Sequence, residues 1–529
     1  MKKILTSMVA CACLVGFSAC DSFLDEEPKS QLTTNSYYLS EAHAQQNVNY
    51  LYRTGVPSLL GATGAYAGSM QQCAGFLTGY LESTYAGQEL HYQYAMNLER
   101  QNWTQNISGN MDGIWDACYK AINVANNAIK YIPEINMDAT KAASLIAEAK
   151  FFRAWNYFYL VKWFGDVPFY TEPSSVETLR IPRTSKATIY AQIEQDLKDA
   201  MNVLPSGKFY ANGNRATKAA AAMILTDVYM TQSKYADAAT AVKTVLSSGH
   251  ALTQHGAEFD LANYDATKLN SAYNILREED GLDESIYSYE YDGSISNGGR
   301  WTAMAFDSGI LSAVDDVKYS IAERIYGPSD RYLNIYEAND LRLQPNQFFH
   351  WEYTYGDKTW KAKDGKACAW FFFKHSDFHE TGVGTKDRDL YRYAEALLFA
   401  AEATAQSGSL TEAAGYLAEV KARANMEGKT AAQIAAELPT DKDAFIKEVW
   451  NERLRELIFD FKIWDDCVRT GMFPNISATE RGKITYEPLV GAQNGNGKTF
   501  KESDLLWPIS INEIQRNPEL TQNPGYATN

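Results

Sequence analysis

Cysteine is scarce in this chain, with seven in 529 residues. Cys11 and Cys13 fall in the first apolar run, and Cys20, Cys73, Cys118, Cys368 and Cys467 are scattered. No C-x-x-C pair or zinc spacing occurs, which removes the redox dithiol and the finger-type metal site. Spacing alone pairs none of Cys73, Cys118, Cys368 and Cys467, so disulfides and buried thiols both stay open. Basic charge is also short: 49 Lys and Arg against 65 Asp and Glu give a net charge of -16. That balance argues against nucleic acid as a partner and against a basic membrane-surface patch. Past the first twenty residues, no apolar run approaches the roughly 20 residues that a spanning helix needs.

Catalytic signatures are missing too. Gly495-Asn496-Gly497-Lys498-Thr499 resembles the end of a phosphate loop, but Ala492 stands where that loop needs glycine. Ser294-Ile295-Ser296-Asn297-Gly298 lacks the first glycine of a nucleophile elbow. His375, His379 and Glu380 would suit zinc on a helix. The run Trp370 to Phe373 before them reads as a strand, however, and Gly382 and Gly384 follow, so a polar loop is expected. Glu278-Glu279-Asp280 and Asp315-Asp316 lie in no hand-type calcium loop and read as solvated charge. No metal and no cofactor is expected. Paired carboxylates for glycoside hydrolysis stay open, because such pairs are assembled in space.

The N-terminus, by contrast, is rich in signals. Lys2 and Lys3 precede an apolar stretch from Ile4 to Phe17, and Phe17-Ser18-Ala19-Cys20 follows. Small residues at this point suit a signal peptidase. Cleavage after Ala19 leaves Cys20 first, ready to carry two or more acyl chains, which suffice for stable anchoring. Ordinary secretory cleavage is the alternative, since Phe17 stands where lipoproteins usually carry Leu. The expected organisation is a leader over 1–19, a lipidated Cys20 with an acidic tether over 20–35, and one domain over 36–529.

Apolar periodicity predicts a mainly α-helical scaffold with long irregular loops and short β elements. Helices are expected over 115–131, 147–164, 185–204 and 442–461. In 147–164, Phe151, Phe152, Trp155, Phe158 and Tyr159 fall on one face. Two alanine-rich blocks read as helical hairpins of tetratricopeptide type, 215–232 with 236–248 and 388–406 with 410–425. Irregular stretches are expected over 54–112, 250–385 and 470–529, with short strands near 285–291 and 369–374.

Those stretches hold an excess of rings, with 34 Tyr and 11 Trp in the chain. Flat rings in polar surroundings suit a ligand with an apolar face and a polar rim, such as a sugar. Trp103 with Asn106, Tyr66, Tyr289, and Arg300 with Trp301 are the candidate contacts. The alternative for each is that the ring pins its own loop.

Several stretches together resemble the SusD/RagB family of Bacteroidetes-type outer-membrane lipoproteins. They are Cys20-Asp21-Ser22-Phe23-Leu24-Asp25-Glu26-Glu27-Pro28; Glu148-Ala149-Lys150-Phe151-Phe152-Arg153-Ala154-Trp155 through Phe164-Gly165-Asp166-Val167-Pro168; Tyr393-Ala394-Glu395-Ala396-Leu397-Leu398 with Ala400-Ala401-Glu402-Ala403; and Asn451-Glu452-Arg453-Leu454-Arg455-Glu456-Leu457 with Trp464-Asp465. The end, Trp507-Pro508-Ile509 and Asn517-Pro518-Glu519-Leu520, also fits.

The resemblance implies a non-enzymatic role: binding oligosaccharide at the cell surface and feeding a SusC-like TonB-dependent transporter. Asp21, Asp25, Glu26 and Glu27 resemble a surface-export signal. The resemblance assigns no ligand residue, because the family's ligand aromatics lie in variable loops. Arg153, Glu395, Glu402, Glu452, Arg453 and Arg455 sit on apolar helices and are expected to be paired, since lone buried charges are costly. Capture of peptide or another nutrient on the same scaffold, glycoside hydrolysis, and a pure assembly role are the competing readings. Labelled palmitate is expected to enter the wild-type chain and not Cys20→Ala; incorporation into both rules out this anchor.

Overall fold

Helices form where the apolar periodicity is strongest, and side-chain oxygens cap most of their starts. The computed structural model describes residues 38–62, 75–82, 105–292, 324, 327–371, 374 and 384–526. Helix α1 (Glu41–Leu51) is capped by Ser40 and followed by the short α2 (Val56–Gly61). The long helices α3 (Gln105–Tyr131) and α4 (Ala139–Phe164) pack together, and α5 (Lys186–Val203) lies against α4. Asp138 caps α4, and Gly165, at φ +74°, ends it. Next come α6 (Lys218–Thr231), α7 (Tyr235–Leu246) and α8 (Ala272–Glu278). The second half adds α9 (Tyr393–Ser407), α10 (Leu410–Ala424), α11 (Ala431–Glu437), α12 (Lys442–Glu456), α13 (Ile463–Thr470) and α14 (Ile511–Arg516).

The two alanine-rich hairpins are present as α6–α7 and α9–α10, and α7 packs on α9. Among the described residues the sheets are two-stranded ribbons. They include β1 (Leu81–Glu82) with β3 (Gly327–Pro328), and β2 (Ser285–Tyr289) with β8 (Arg388–Arg392). β4 (Phe349–His350) pairs with β7 (Cys368–Ala369), β5 (Glu352–Tyr355) with β6 (Lys358–Lys361), and β9 (Met472–Ile476) with β10 (Ile484–Pro488). The fold is the mainly α scaffold with short strands that the sequence predicts.

Boundaries differ in instructive ways. Residues 388–392 were expected to begin a helix, yet they pair antiparallel with β2, and Ser288 donates to Asp389 at 2.5 Å. The last long helix stops at Glu456, not 461, because Ile458–Asp460 turns and Phe461 takes φ +56°. That turn aims Asp460 at Arg392, 2.7 Å away. Helix α3 begins at Gln105, inside a stretch expected to be irregular. The single apolar face expected for α4 is too narrow, since residues 151–161 are buried on every side. Trp155 meets Tyr287 of β2 and Tyr391 of β8, while Arg153 on another side forks onto Asp196 at 2.8 Å twice.

The glycine turn at 495–499 faces inward. Gly495 N–H donates to Thr78 O at 2.8 Å, and Asn494 Oδ1 accepts from the amides of Asn496 and Lys498. A Cβ on Gly495 would lie 2.1 Å from Gly79 O, so glycine is required by close approach rather than by phosphate. Cys118 and Cys467 are buried thiols, and burial pushes both up. Cys73 lies outside the described residues.

The expected charge pairing is present throughout the core. Arg453 meets Asp466 and Glu395, Arg469 forks onto Glu402, and Arg455 meets Glu448 and Glu452. The densest cluster joins five segments. Glu456 of α12 accepts from Arg342 (3.1 Å), Arg392 (3.1 Å) and Arg423 (2.7 Å). Glu284 accepts from Arg392 and Arg423, Asp460 from Arg392, and Asp340 with Glu452 from Arg342. Burial drives the Glu284 carboxyl up, but Arg423 and Arg392 outweigh it and hold it below the usual range. Removing one member strands the others without water. Arg392→Ala is therefore expected to lose about 3–5 kcal/mol in urea unfolding, and a loss under about 1 kcal/mol contradicts this.

Candidate functional site

The β2–β8 ribbon leads into a cluster where several loops begin. Strand β2 leaves the core through Tyr289, Glu290 and Tyr291. The Tyr291 amide donates to Asp387 Oδ1 at 2.8 Å, and Asp387 Oδ2 accepts from the Tyr210 hydroxyl at 2.9 Å. The Asp387 amide donates to Asp280 Oδ1 at 3.0 Å, and Asp280 pairs with Lys386 and Lys374. The Tyr291 hydroxyl donates to Gly61 O, the last residue of α2, at 2.5 Å. Gly61 lies so close that a Cβ there would be 2.2 Å from the Tyr289 Cβ. Arg53 donates to Glu290 O at 2.7 Å and covers the Tyr289 ring at 3.9 Å. The Glu290 carboxylate accepts from Asn214, a residue at φ +62°.

Residues 61, 291 and 387, which lie next to the ends of described segments, thus meet in one knot of hydrogen bonds. Three expected contact residues, Tyr66, Arg300 and Trp301, follow Gly61 and Tyr291 in sequence within ten residues. Their own placement, and that of Trp103 and Cys20, lies outside the described residues. Asn106 sits in the first turn of α3, with the backbone alone described. Tyr289 is the candidate with a described side chain, and it is 5% exposed under Arg53. The loop His375 to Glu380, the Ser294 segment and Asp315-Asp316 are also outside the description. Asp280 pairs with lysines, and among the described residues no group of three or more His, Cys, Asp or Glu is arranged for a metal ion.

Arg53, Gly61, Asn214 and Asp387 were missed by sequence reasoning. They are far apart in the chain, and no local spacing ties them together. The cluster's chemistry is that of a fastening: each oxygen of Asp387 already accepts a hydrogen bond. Burial, then the Asp387 charge, pushes the Glu290 carboxyl up to about 7. Burial, then Asp280, pushes Asp387 up to about 6.

Ring stacking elsewhere serves the scaffold. Tyr119 stacks on Tyr170 and Phe371 on Phe459. The first pair is partly buried against the core, and the second lies within it.

A mainly helical scaffold edged by two-stranded ribbons is the class of fold that this chain shows. Residues 284–526 match the SusD family, and residues 22–230 match a family described as starch-binding, associating with the outer membrane. The chain belongs to the SusD family. SusD-like protein P2 of Formosa agariphila is 27% identical across 99% of this chain and 100% of its own length. A SusD superfamily protein from Parabacteroides distasonis shares the fold at TM-score 0.75 and 23% identity, over 94% of this chain and 100% of its own. Surface glycan-binding protein A from Bacteroides thetaiotaomicron, solved with laminarihexaose, shares it at TM-score 0.65 and 19% identity, over 92% and 99%.

The raised carboxyls set a pH dependence. A carboxyl held above its ordinary value contributes stability that is complete below that value and is lost as pH rises through the folded value. For Glu290 and Asp387 that loss runs from about pH 4 to about pH 7. Glu290→Gln removes the like-charge repulsion, so its thermal midpoint relative to wild type is expected to rise between about pH 5.5 and about pH 8. A difference that stays flat with pH contradicts the assignment.

Proposed function

We propose that this chain is a cell-surface lipoprotein that binds glycan and passes oligosaccharide to a SusC-like TonB-dependent transporter of the outer membrane. Capture works by ring stacking and hydrogen bonding, without bond cleavage. The observation that carries the reading is the relationship to the SusD family along nearly the whole chain. The bonding of Gly61 and Tyr291 supports it, because these residues lie just before the sequence that carries Tyr66 and Trp301, and a fixed base limits the ordering cost of binding. Laminarihexaose in the Bacteroides thetaiotaomicron structure and starch in the family description belong to those proteins, and they guide the choice of glycans to test.

Cys20 is the proposed lipid attachment, and the acidic tether after it gives the domain freedom over its transporter. Trp103, Asn106, Tyr66, Tyr289, Arg300 and Trp301 remain the proposed contacts. Tyr289 serves beneath Arg53 as the floor of the site rather than as an open platform.

Affinity electrophoresis against starch, laminarin and host or microbial polysaccharides tests the reading. At least one glycan is expected to retard the wild type. Trp103→Ala and Trp301→Ala are each expected to weaken that retardation about 2- to 12-fold, the range for a lost aromatic contact. No shift with any glycan, together with retention of peptides, overturns it. Reducing ends released from the bound glycan would show a hydrolase instead.

A further inference from the structure

The hairpin β5–β6 carries a ring that the fold uses on one side. Its register sets Tyr353 opposite Trp360 and Thr354 opposite Thr359, so the two pairs face opposite ways. Tyr353 is 1% exposed and tilts onto the buried Trp370, 6.2 Å away, which in turn lies beneath the Arg277 guanidinium. Trp360 lies on Tyr353 at 6.4 Å and 25° between planes, and it is partly exposed. These rings climb from core to surface, and Trp360 is the outermost.

No other ring contacts Trp360 among the described residues, and its indole N–H has no protein partner there. Lys358, two residues away on the same face, is exposed and has no ion pair among the described residues. Thr354 and Thr359 on the other face bond each other at 2.9 Å, and Lys361 pairs with Glu352 at 3.3 Å. Among the described side chains, the polar groups of that face are thus paired, while Trp360 and Lys358 are not.

We propose that Trp360 and Lys358 form a carbohydrate-contact site on this hairpin, additional to the contacts proposed above. The indole takes the C–H face of one pyranose ring, and its N–H and the Lys358 ammonium bond ring hydroxyls. A cross-strand ring pair by itself steadies a hairpin. That role needs neither an open indole N–H nor an unpaired cation beside it. A second contact point lets one long glycan chain be held twice, which raises retention without a stronger single site.

This inference rests on the glycan reading above, and the two fail differently. The test is affinity electrophoresis of the whole chain on soluble starch and laminarin, with Trp360→Ala and Lys358→Ala beside the wild type. Trp360→Ala is expected to weaken retardation about 2- to 12-fold, and Lys358→Ala by a smaller factor. Thermal melting checks folding. If Trp360→Ala does not fold, Trp360→Tyr keeps a ring on Tyr353 but loses the indole N–H, and it is expected to weaken retardation at least about 2-fold. Wild-type retardation that a folded Trp360 variant leaves unchanged overturns this site alone. Absence of wild-type retardation on every glycan overturns the glycan reading and this site with it.

Discussion

Desolvated charge is the constraint around which this scaffold is arranged. Glu456 takes three arginines from three different segments, at positions 342, 392 and 423, and all four side chains are buried, none more than 4% exposed. An isolated ion in that place would be prohibitive, so the segments must arrive together or not at all. The network therefore acts as a register pin. It fixes where α10 ends, where β8 turns into α9, and how α12 is rotated. Hydrophobic burial supplies the driving force, but it would tolerate small slips that a fork of arginine bonds does not.

From that pin the organisation runs outward. Arg392 belongs to the network and also ends β8. Its strand pairs with β2, whose exit residue Tyr291 is tied to Asp387, five residues before the strand's buried end at Arg392. The ribbon is thus a short rigid arm between the buried charges and the knot at Tyr291. Its bulged register, shifted between Ser285 and Ser288, adds a local kink at the root of the arm.

The helices were legible because alanine and aromatic positions repeat at helical spacing over long runs. α6–α7 and α9–α10 fall close to where that repeat places them. The strand β8 was illegible for a definite reason. Arg388-Asp389-Leu390-Tyr391-Arg392 runs straight into Tyr393-Ala394-Glu395-Ala396, and a helical pattern continues unbroken across the join. Pairing with β2, remote in sequence, overrides local preference. The charges of the core could be expected to pair, but partners such as Arg342 or Asp196 had no local mark. The cluster at Tyr291 was hidden in the same way, since residues 53, 61, 214, 290 and 387 meet only in space. Aromatic excess pointed to a surface platform, yet Tyr289 and Tyr353 prove buried. Composition counts rings and says nothing of which face is covered.

The knot at Tyr291 has a consequence for how such a protein diversifies. Several of its bonds end on main-chain groups: the Tyr291 amide, the Gly61 carbonyl and the Glu290 carbonyl. Main-chain acceptors and donors exist whatever side chains lie beyond them. The sequence beyond Gly61 and Tyr291 can therefore change while these two residues stay tied to each other. The scaffold behaves as a socket with a standard fitting, set by main-chain groups that a change of side chain leaves in place.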